Sequence, residues 1–307
     1  MAYYALLDAE RFGLTSDAVQ RRMHVLTPEG QVLIGIDALA ATWDAMTLFR
    51  RMRRRRTSLK AFLMDQRQIA GLGNIYVSDR GGAIFKVTPA GDISTLAGAL
   101  GQTGSADGPG ATARFNGPAG IAVDASGNVF VADSGNATIR KITSLDGVVT
   151  VSTFAGAAGM LGSSDGAGGN ASFAQPWGVA TDDAGNVYVA DPANNNVRKI
   201  SAAGSVTTLA GHSLEAGSAD GLGAQATFNK PLGIALDGAN NVYVADTNNH
   251  TLRAITPAGV VSTIAGTTGR RGFGAGPVPG TLADPVAVGI GGSTIYLLIN
   301  NGVVTAQ

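Results

Sequence analysis

Short apolar runs separated by polar turns repeat along residues 73–307. The runs GNIYVSD, GNVFVAD, GNVYVAD and NNVYVAD end at Asp79, Asp133, Asp191 and Asp246, at spacings of 54, 58 and 55 residues. Apolar residues alternate with others inside each run, which is the period of a β-strand. Gly-, Asn- and Asp-rich stretches such as DASGN, DDAGN and DGANN lie between the runs and predict tight turns. This part of the chain is therefore predicted to be mainly β.

Each repeat holds four such runs. PAGIAVD, PWGVATD and PLGIALD precede three of the copies, TIRKI, NVRKI and TLRAI follow them, and VSTFAG, VTTLAG and VSTIAG complete the units. Four short strands per repeat are typical of a β-propeller blade. Because a single blade cannot cover both of its own faces, neighbouring blades are expected to stack. The first unit lacks its innermost strand, and the last, with Ile299 in the position of the repeat Asp, has about three strands. The sequence predicts four to five recognisable blades.

The recurring elements P-x-G-I-A-V-D, G-N-V-Y-V-A-D and N-x-x-I-R-K-I resemble the NHL repeat family over about residues 73–307. The resemblance implies an NHL-type β-propeller, which commonly has six blades. Four to five blades leave three alternatives: a small ring, an open arc with exposed sheet edges, or a fragment of a larger propeller. Open edges would permit self-association with another chain.

Residues 1–48 are predicted to form a small α/β segment, with a hairpin around residues 28–30 in HVLTPEGQVLIGI. Residues 1–46 are similar to the C-terminal half of the DCC-type thiol-disulfide oxidoreductase family. The chemistry of that family depends on a Cys-x-x-Cys motif, and this chain contains no cysteine. The activity therefore does not carry over, and disulfides, thiolate catalysis and Cys-ligated zinc are excluded.

Residues 49–72 are predicted to be a basic linker and a helix. The stretch TSLKAFLMDQRQIAGLGN, residues 57–74, is similar to the helix-two-turn-helix of formamidopyrimidine-DNA glycosylases. The resemblance implies DNA-phosphate contacts at Lys60 and at Asn74, the latter at the start of a second helix. The Pro-Glu start and the zinc finger of that family are missing, and AIFKV follows in place of a helix. Residues 74–79 are therefore predicted to be a strand paired with 83–87, and the helix begun near Ser58 is predicted to end before Gly71.

Charge is unevenly distributed although the net charge is zero. Residues 1–70 hold eleven Lys/Arg against seven Asp/Glu, and the remainder holds eleven against fifteen. The run FRRMRRRR fits either a solvated helix end or phosphate contact, with weak, sequence-independent nucleic-acid binding through Arg53, Arg54, Arg55 and Arg56. No signal peptide or membrane span is visible, so a cytoplasmic location without a membrane partner is the default expectation.

The long loops between blades are the main candidate for function. Gly98 to Pro118, Gly156 to Pro176 and Gly211 to Pro231 each span 20 positions and gather on one face of the predicted propeller. On that face the predicted ligand contacts are Trp177, which stands where other blades have Ala119, Leu232 or Val286, and the aspartates Asp107, Asp165 and Asp220. For Trp177 a role in the core is the alternative, and for the three aspartates an Asp-Gly turn is favoured over Ca²⁺ ligation. Each of the four repeat aspartates is predicted to accept N–H bonds from the turn after its strand, with a cation near the channel as the alternative.

No catalytic residue, metal site or cofactor is predicted. The histidines His24, His212 and His250 fall at unrelated places in the repeat, so three-His zinc ligation is not supplied. The sequence favours a non-enzymatic propeller that binds a protein or glycan on one face. The alternatives are DNA binding through residues 50–74 and, as a second alternative, a propeller lyase or hydrolase.

Overall fold

A computed structural model describes residues 24–26, 32–34, 74–88, 92–272, 280–299 and 302–306. A separate hairpin consists of β1 (His24–Leu26) and β2 (Val32–Ile34). The first sheet consists of β3 (Ile75–Asp79), β4 (Ala83–Val87) and β5 (Ile93–Gly98). The second consists of β6 (Gly108–Pro109), β7 (Pro118–Val123), β8 (Val129–Asp133), β9 (Thr138–Leu145) and β10 (Val148–Ala155).

The remaining strands follow the same order. The third sheet consists of β11 (Gly166–Ala167), β12 (Gly178–Thr181), β13 (Val187–Asp191), β14 (Asn196–Ile200) and β15 (Ser205–Ala210). The fourth consists of β16 (Gly221–Leu222), β17 (Pro231–Leu236), β18 (Val242–Asp246), β19 (Thr251–Ile255) and β20 (Val260–Gly266). The fifth consists of β21 (Ala287–Gly291), β22 (Thr294–Ile299) and β23 (Gly302–Ala306). Single 3-10 turns lie at Ser134–Asn136, Gly168–Asn170, Gly223–Gln225 and Thr247–Asn249.

The five sheets are antiparallel and stack as the blades of a β-propeller, as the repeat pattern predicts. Each interface between blades is filled by side chains that alternate along the strands. Between the second and third blades, for example, Phe130 and Ile139 pack with Val187 and Val189, all of them almost fully buried. This burial removes the apolar face of each sheet from water, which is the main favourable contribution to stacking.

The glycine in each P-x-G element allows the inner strands to approach one another. A Cβ at Gly120 would lie 2.1 Å from the carbonyl oxygen of Trp177, and one at Gly178 would lie 2.3 Å from that of Leu232. Any side chain would collide with the neighbouring backbone there. The close approach of the inner strands therefore explains the glycine in each P-x-G element, which strand periodicity alone does not require.

Two local predictions are confirmed. β3 pairs with β4 from Ile75 opposite Val87 to Asp79 opposite Ala83, so residues 75–79 are a strand and Asn74 precedes it. β1 and β2 pair across the stretch that includes residues 28–30. The predicted helix from Ser58 to before Gly71 lies outside the described residues, as do the basic run and Lys60.

The three central blades contain a strand that the repeat pattern did not predict. Gly108–Pro109 pairs with Thr150 and Val151 at the outer edge of the second blade, and Gly166–Ala167 and Gly221–Leu222 do the same in the next two. The loop that enters a blade thus adds a two-residue fifth strand to that blade before it reaches the inner strand. This short strand covers an edge that would otherwise be open.

The inner-edge contacts run from β3 through β7, β12 and β17 to β21. Within the described part of the chain, the first and fifth sheets make no extensive contact with each other. Among the residues that the structure describes, the first sheet has no strand equivalent to β7 and the fifth has no strand equivalent to β10. In the same residues, no helix has both the length and the apolar character needed to cross a membrane.

Candidate functional site

The interblade loops lie on one face of the propeller, here called the loop face. It consists of loops 99–117, 156–177, 211–230 and 267–286, of which 273–279 are not described, and of the turns between the second and third strands of each blade. Each loop rests on the turn of the preceding blade. The amides of Gly101, Gly159 and Leu214 donate to the carbonyls of Gly81, Asn136 and Asn194, over 2.8, 3.1 and 3.1 Å. The loops therefore occupy equivalent positions, as their equal lengths predicted.

A buried arginine fixes each loop to its blade. In the third blade, Arg198 donates from Nη1 to the carbonyl of Ser172 and from Nη2 to the carbonyl of Ser164, both over 2.9 Å. Nη2 also bonds Asp165 over 2.8 Å, and the guanidinium lies 5.2 Å from the centre of the Phe173 ring. Arg198 is fully buried, so its charge is stabilised by these contacts instead of by water.

The same arrangement recurs in the second and fourth blades, where Arg140 and Arg253 take the place of Arg198. Both arginines also bond the repeat aspartate of their blade, Asp133 or Asp246, over 2.9 Å. They lie 5.1 Å from the rings of Phe115 and Phe228. These phenylalanines are fully buried and pack at the base of their loops.

The three aspartates predicted as ligand contacts are partners of these arginines. Asp107, Asp165 and Asp220 have side chains that are 47%, 50% and 50% exposed, and they bond Arg140, Arg198 and Arg253. Each also accepts the amide and hydroxyl of a threonine on the fourth strand: Thr153, Thr208 or Thr263. They therefore tie the loop to two strands, which is more than the Asp-Gly turn that the sequence suggested. Their role as ligand contacts stays a prediction.

The repeat aspartates differ in their partners. Asp79 accepts the amide of Gly81 in the turn that follows its strand, as predicted. Asp133, Asp191 and Asp246 instead accept an amide from the preceding loop and a side-chain amide from the following turn: Asn116 and Asn136, Gln175 and Asn194, Asn229 and Asn249. Burial raises the pKa of Asp246 to about 6, against the hydrogen bonds and the charge of Arg253, which lower it.

The terminal blades lack this arginine. In the fifth blade, Leu282, Ile299 and Val304 occupy the positions of the phenylalanine, aspartate and arginine, and they pack in one apolar cluster. In the first blade, Phe85 stands in the arginine position while Asp79 is retained. As a result Oδ2 of Asp79 is buried without a hydrogen-bond partner in the described part of the chain.

Large apolar side chains are exposed at the tips of three consecutive loops. Leu100, Met160, Leu161 and Leu214 are 52%, 66%, 71% and 78% exposed. The other exposed large apolar residues form two pairs on neighbouring strands, Leu145 with Val148 and Leu222 with Val260. Sequence reasoning missed the tips because no two of the loops carry the same apolar residue in the same register.

Trp177 lies half-buried at the inner end of its loop. The guanidinium carbon of Arg80, from the turn between β3 and β4, stands 5.0 Å from the centre of the Trp177 ring. The contact joins the first blade to the third across the small residues Ala119 and Gly120 of the second. Trp177 therefore is on the face where it was predicted, and Arg80 is a neighbour that the sequence did not suggest.

The described residues do not bring together a metal site or a set of catalytic groups. They contain no cluster of three or more His, Asp or Glu side chains able to hold a metal. His250 pairs with Asp284 over 3.0 Å, and Asp284 also pairs with Arg271, whereas His212 pairs with Glu215 on another loop. Of the residues proposed for DNA contact, only Asn74 is described, and it precedes a strand rather than a helix.

Comparison with known proteins separates the chain into two parts. The NHL repeat family matches residues 115–142, 173–200 and 228–255. The formamidopyrimidine-DNA glycosylase H2TH domain matches residues 34–86. The second match includes β3 and most of β4, so its last part contributes two of the three strands of the first blade.

Individual relatives show the same division. NHL repeat-containing protein 2 of Bos taurus is 32% identical over 158 residues, which are 47% of this chain and 21% of that protein. The chain thus spans about a fifth of that relative. A formamidopyrimidine-DNA glycosylase of Nitrosococcus oceani is 39% identical over 72 residues, 24% of this chain and 26% of the glycosylase.

Solved structures agree on the fold. A structural genomics protein of unknown function from Bacteroides thetaiotaomicron has a TM-score of 0.53 at 18% identity, over 77% of this chain and 68% of that one. The fold and the repeats together define a five-bladed β-propeller that carries NHL repeats. Ahead of the propeller, and overlapping its first blade, lies the segment similar to the glycosylase H2TH domain.

The oxygen Oδ2 of Asp79, which has no hydrogen-bond partner among the described residues, gives a first prediction. Asp79→Asn removes a buried carboxylate that pairs with no arginine or lysine in that part of the chain, so the free energy of unfolding stays equal or rises. Asp133→Asn, the matched change in the second blade, leaves Arg140 without a buried partner and costs about 3 kcal/mol. Urea unfolding of the two variants measures this difference. Equal losses in both would show that Asp79 has a partner of its own.

A second prediction concerns pH. Burial raises the pKa of Asp220, but hydrogen bonds from Thr263 and Arg253 outweigh it and leave the pKa below its usual value. A lowered pKa in the folded state stabilises the protein above the unfolded value of about 3.9, and this contribution is lost as the pH falls below it.

Asp220→Asn should therefore be less stable than the parent at pH 7, with the difference shrinking below about pH 4. Denaturant unfolding at several pH values measures this, with Glu215→Gln, an exposed acid of the same loop, as control. A difference that grows as the pH falls would contradict the assignment.

Proposed function

We propose that the protein is a binding propeller that recognises a protein partner on its loop face. The observation that carries the proposal is the exposure of Leu100, Met160, Leu161 and Leu214 on loop tips that all point to one face. Single exposed apolar residues are common, but four on equivalent loops of consecutive blades form a surface of the kind that partners cover.

The rigidity of these loops supports the proposal. Each loop is fixed by its own backbone bonds, by the preceding turn and by a buried arginine, as shown for Arg198. Ordering of interface loops is one of the costs of association, so loops that are already ordered bind with a smaller entropic penalty. Apolar residues at the tips of ordered loops therefore suit a protein partner with a surface of defined shape.

The chemistry of the tips favours a protein over a glycan. Leucine and methionine bury apolar surface, whereas sugars are held by aromatic faces and polar groups. Trp177 is the only tryptophan among the described residues, and its ring is already stacked by Arg80. A protein partner with an apolar patch therefore matches this face better.

The proposal predicts that polar substitutions on one face alone abolish binding. A variant with Leu100→Ser, Met160→Ser and Leu214→Ser should lose its partner in quantitative affinity capture from the source cells. The control carries Leu145→Ser and Val148→Ser, which removes similar apolar surface from the opposite side of a blade. Proteins lost with the first variant and kept with the control are the partners.

Circular dichroism and thermal unfolding should be the same for both variants, because all five side chains are exposed. Equal recovery of every captured protein by both variants would refute binding at the loop tips.

A second candidate function, DNA binding, is favoured by the glycosylase H2TH match over residues 34–86. The match includes the arginine-rich stretch and Lys60, which lie outside the described residues. It also includes Asn74, which here precedes β3 and so is not at a helix end where free amides could hold a phosphate. Phosphate contact by Arg53–Arg56 remains as the basis of this candidate.

Such contacts predict weak binding without sequence preference, because arginines on phosphates position a protein but do not read bases. Affinity for a DNA duplex at low salt should collapse at physiological ionic strength. Serine at Arg53–Arg56 should remove it, whereas Asn74→Ala should not. Fluorescence anisotropy over a salt series measures both. Binding that survives moderate salt, prefers a damaged base and depends on Asn74 or Lys60 would instead indicate a working H2TH motif.

A further inference from the structure

We infer that Arg80, held against Trp177, is a receptor for a carboxylate on the partner, so that the loop face anchors an acidic side chain flanked by apolar residues. The inference rests on the proposed function, since it names the chemistry of the partner at the same face. It concerns a different set of residues from the loop tips, and the two can be tested separately.

Arg80 is exposed, and its guanidinium stands 5.0 Å from the centre of the Trp177 ring. Within the described residues its N–H groups bond no acceptor and no carboxylate lies within ion-pair distance. Stacking on an indole restricts the guanidinium plane while leaving the N–H groups at its edge available. A carboxylate binds such an edge through two parallel hydrogen bonds, which requires one orientation of the guanidinium group. Because the indole already restricts that orientation, the guanidinium group loses less freedom when the carboxylate binds.

The nearest acid by sequence does not neutralise Arg80. The carboxylate of Asp79 is buried, and its Oδ1 accepts the amide of Gly81. The buried arginines of the next three blades each have a carboxylate partner on the same face. Arg80 is thus an arginine of the loop face that pairs with no carboxylate in the described structure.

The surroundings of Arg80 combine positive charge with an apolar surface. The side chain of Leu100 lies directly over Gly81, so that any side chain at position 81 would meet it. In the same loop, Arg114 bonds Gln102 and the carbonyls of Ala111 and Ala113, but no carboxylate. A ligand at Arg80 therefore meets an arginine without a carboxylate partner and a leucine beside it, which complements an acidic residue next to an apolar one.

Tryptophan and arginine are the residue types most often found at the energetic centres of protein interfaces. Here they come from the first and third blades and meet at the inner end of the loops, while the apolar tips lie further out along the same loops. The arrangement has a polar anchor on the inner side and apolar contacts around it.

The test uses two synthetic peptides, one of alternating leucine and glutamate and one with glutamine in place of every glutamate. Binding is followed by the fluorescence of Trp177 in a Trp43→Phe background, with calorimetry as a second measurement. The glutamate peptide should bind about tenfold more tightly or better, because a hydrogen bond to a charged group outweighs a neutral one by that factor.

Arg80→Gln should make the two peptides equal, and Arg80→Lys should restore only part of the difference, since an ammonium has no paired donors. Trp177→Leu, which removes the fluorophore and is therefore followed by calorimetry, should weaken the preference by freeing the guanidinium. The matched control is Arg270→Gln, which removes another exposed arginine of the loop face and should leave the preference unchanged.

The outcomes separate the two proposals. If both peptides bind equally but lose affinity in the variant with Leu100→Ser, Met160→Ser and Leu214→Ser, the loop-face proposal holds and the carboxylate receptor is refuted. If neither peptide binds, or if inorganic sulfate occupies Arg80 and the glutamate peptide does not displace it, the receptor is also refuted. A preference for glutamate that survives loss of the tips supports the receptor and removes the tips from the interface.

Discussion

The structure of the loop face depends on one buried arginine in the third strand of each central blade. Arg140, Arg198 and Arg253 are fully buried, and each reaches two carbonyls of the loop that enters its blade. The Nη groups of each guanidinium are hydrogen-bonded, whereas its Nε is buried without a partner in the described structure. Separating the strand from the loop would therefore leave still more donors of a buried charge unsatisfied. The arginine thereby holds the loop against the third strand of its blade.

This interaction connects the core of the propeller to its candidate function. Apolar stacking of the sheets fixes where the arginine lies, and the arginine fixes the loop that carries an apolar tip. The first and fifth blades replace the arginine by Phe85 and Val304, so loop anchoring of this kind belongs to the three central blades. The exposed apolar tips lie on the three loops that enter those central blades. These are the loops that a buried arginine anchors.

Much of the fold follows from sequence because strand periodicity and turn residues agree in every repeat. The strand at Ile75–Asp79 could be predicted against a competing helical motif, since three further copies share its pattern. The short strand Gly108–Pro109 could not, because two residues have no period. The pairing of Asp107 with Arg140 spans 33 residues, and the contact of Arg80 with Trp177 crosses a whole blade. Contacts of this range depend on how the blades converge, which local patterns do not encode.

The most direct test of the account is amide hydrogen exchange in Arg198→Met. The amides of Gly162 and Ser172 bond carbonyls of Phe173 and Ser164 inside the loop of the third blade, and the amides of Gly217 and Thr227 make the equivalent bonds in the fourth. The account predicts that Gly162 and Ser172 lose protection while Gly217 and Thr227 keep it. Unchanged protection at Gly162 and Ser172 would show that the loop holds itself and would contradict the central role of the arginine.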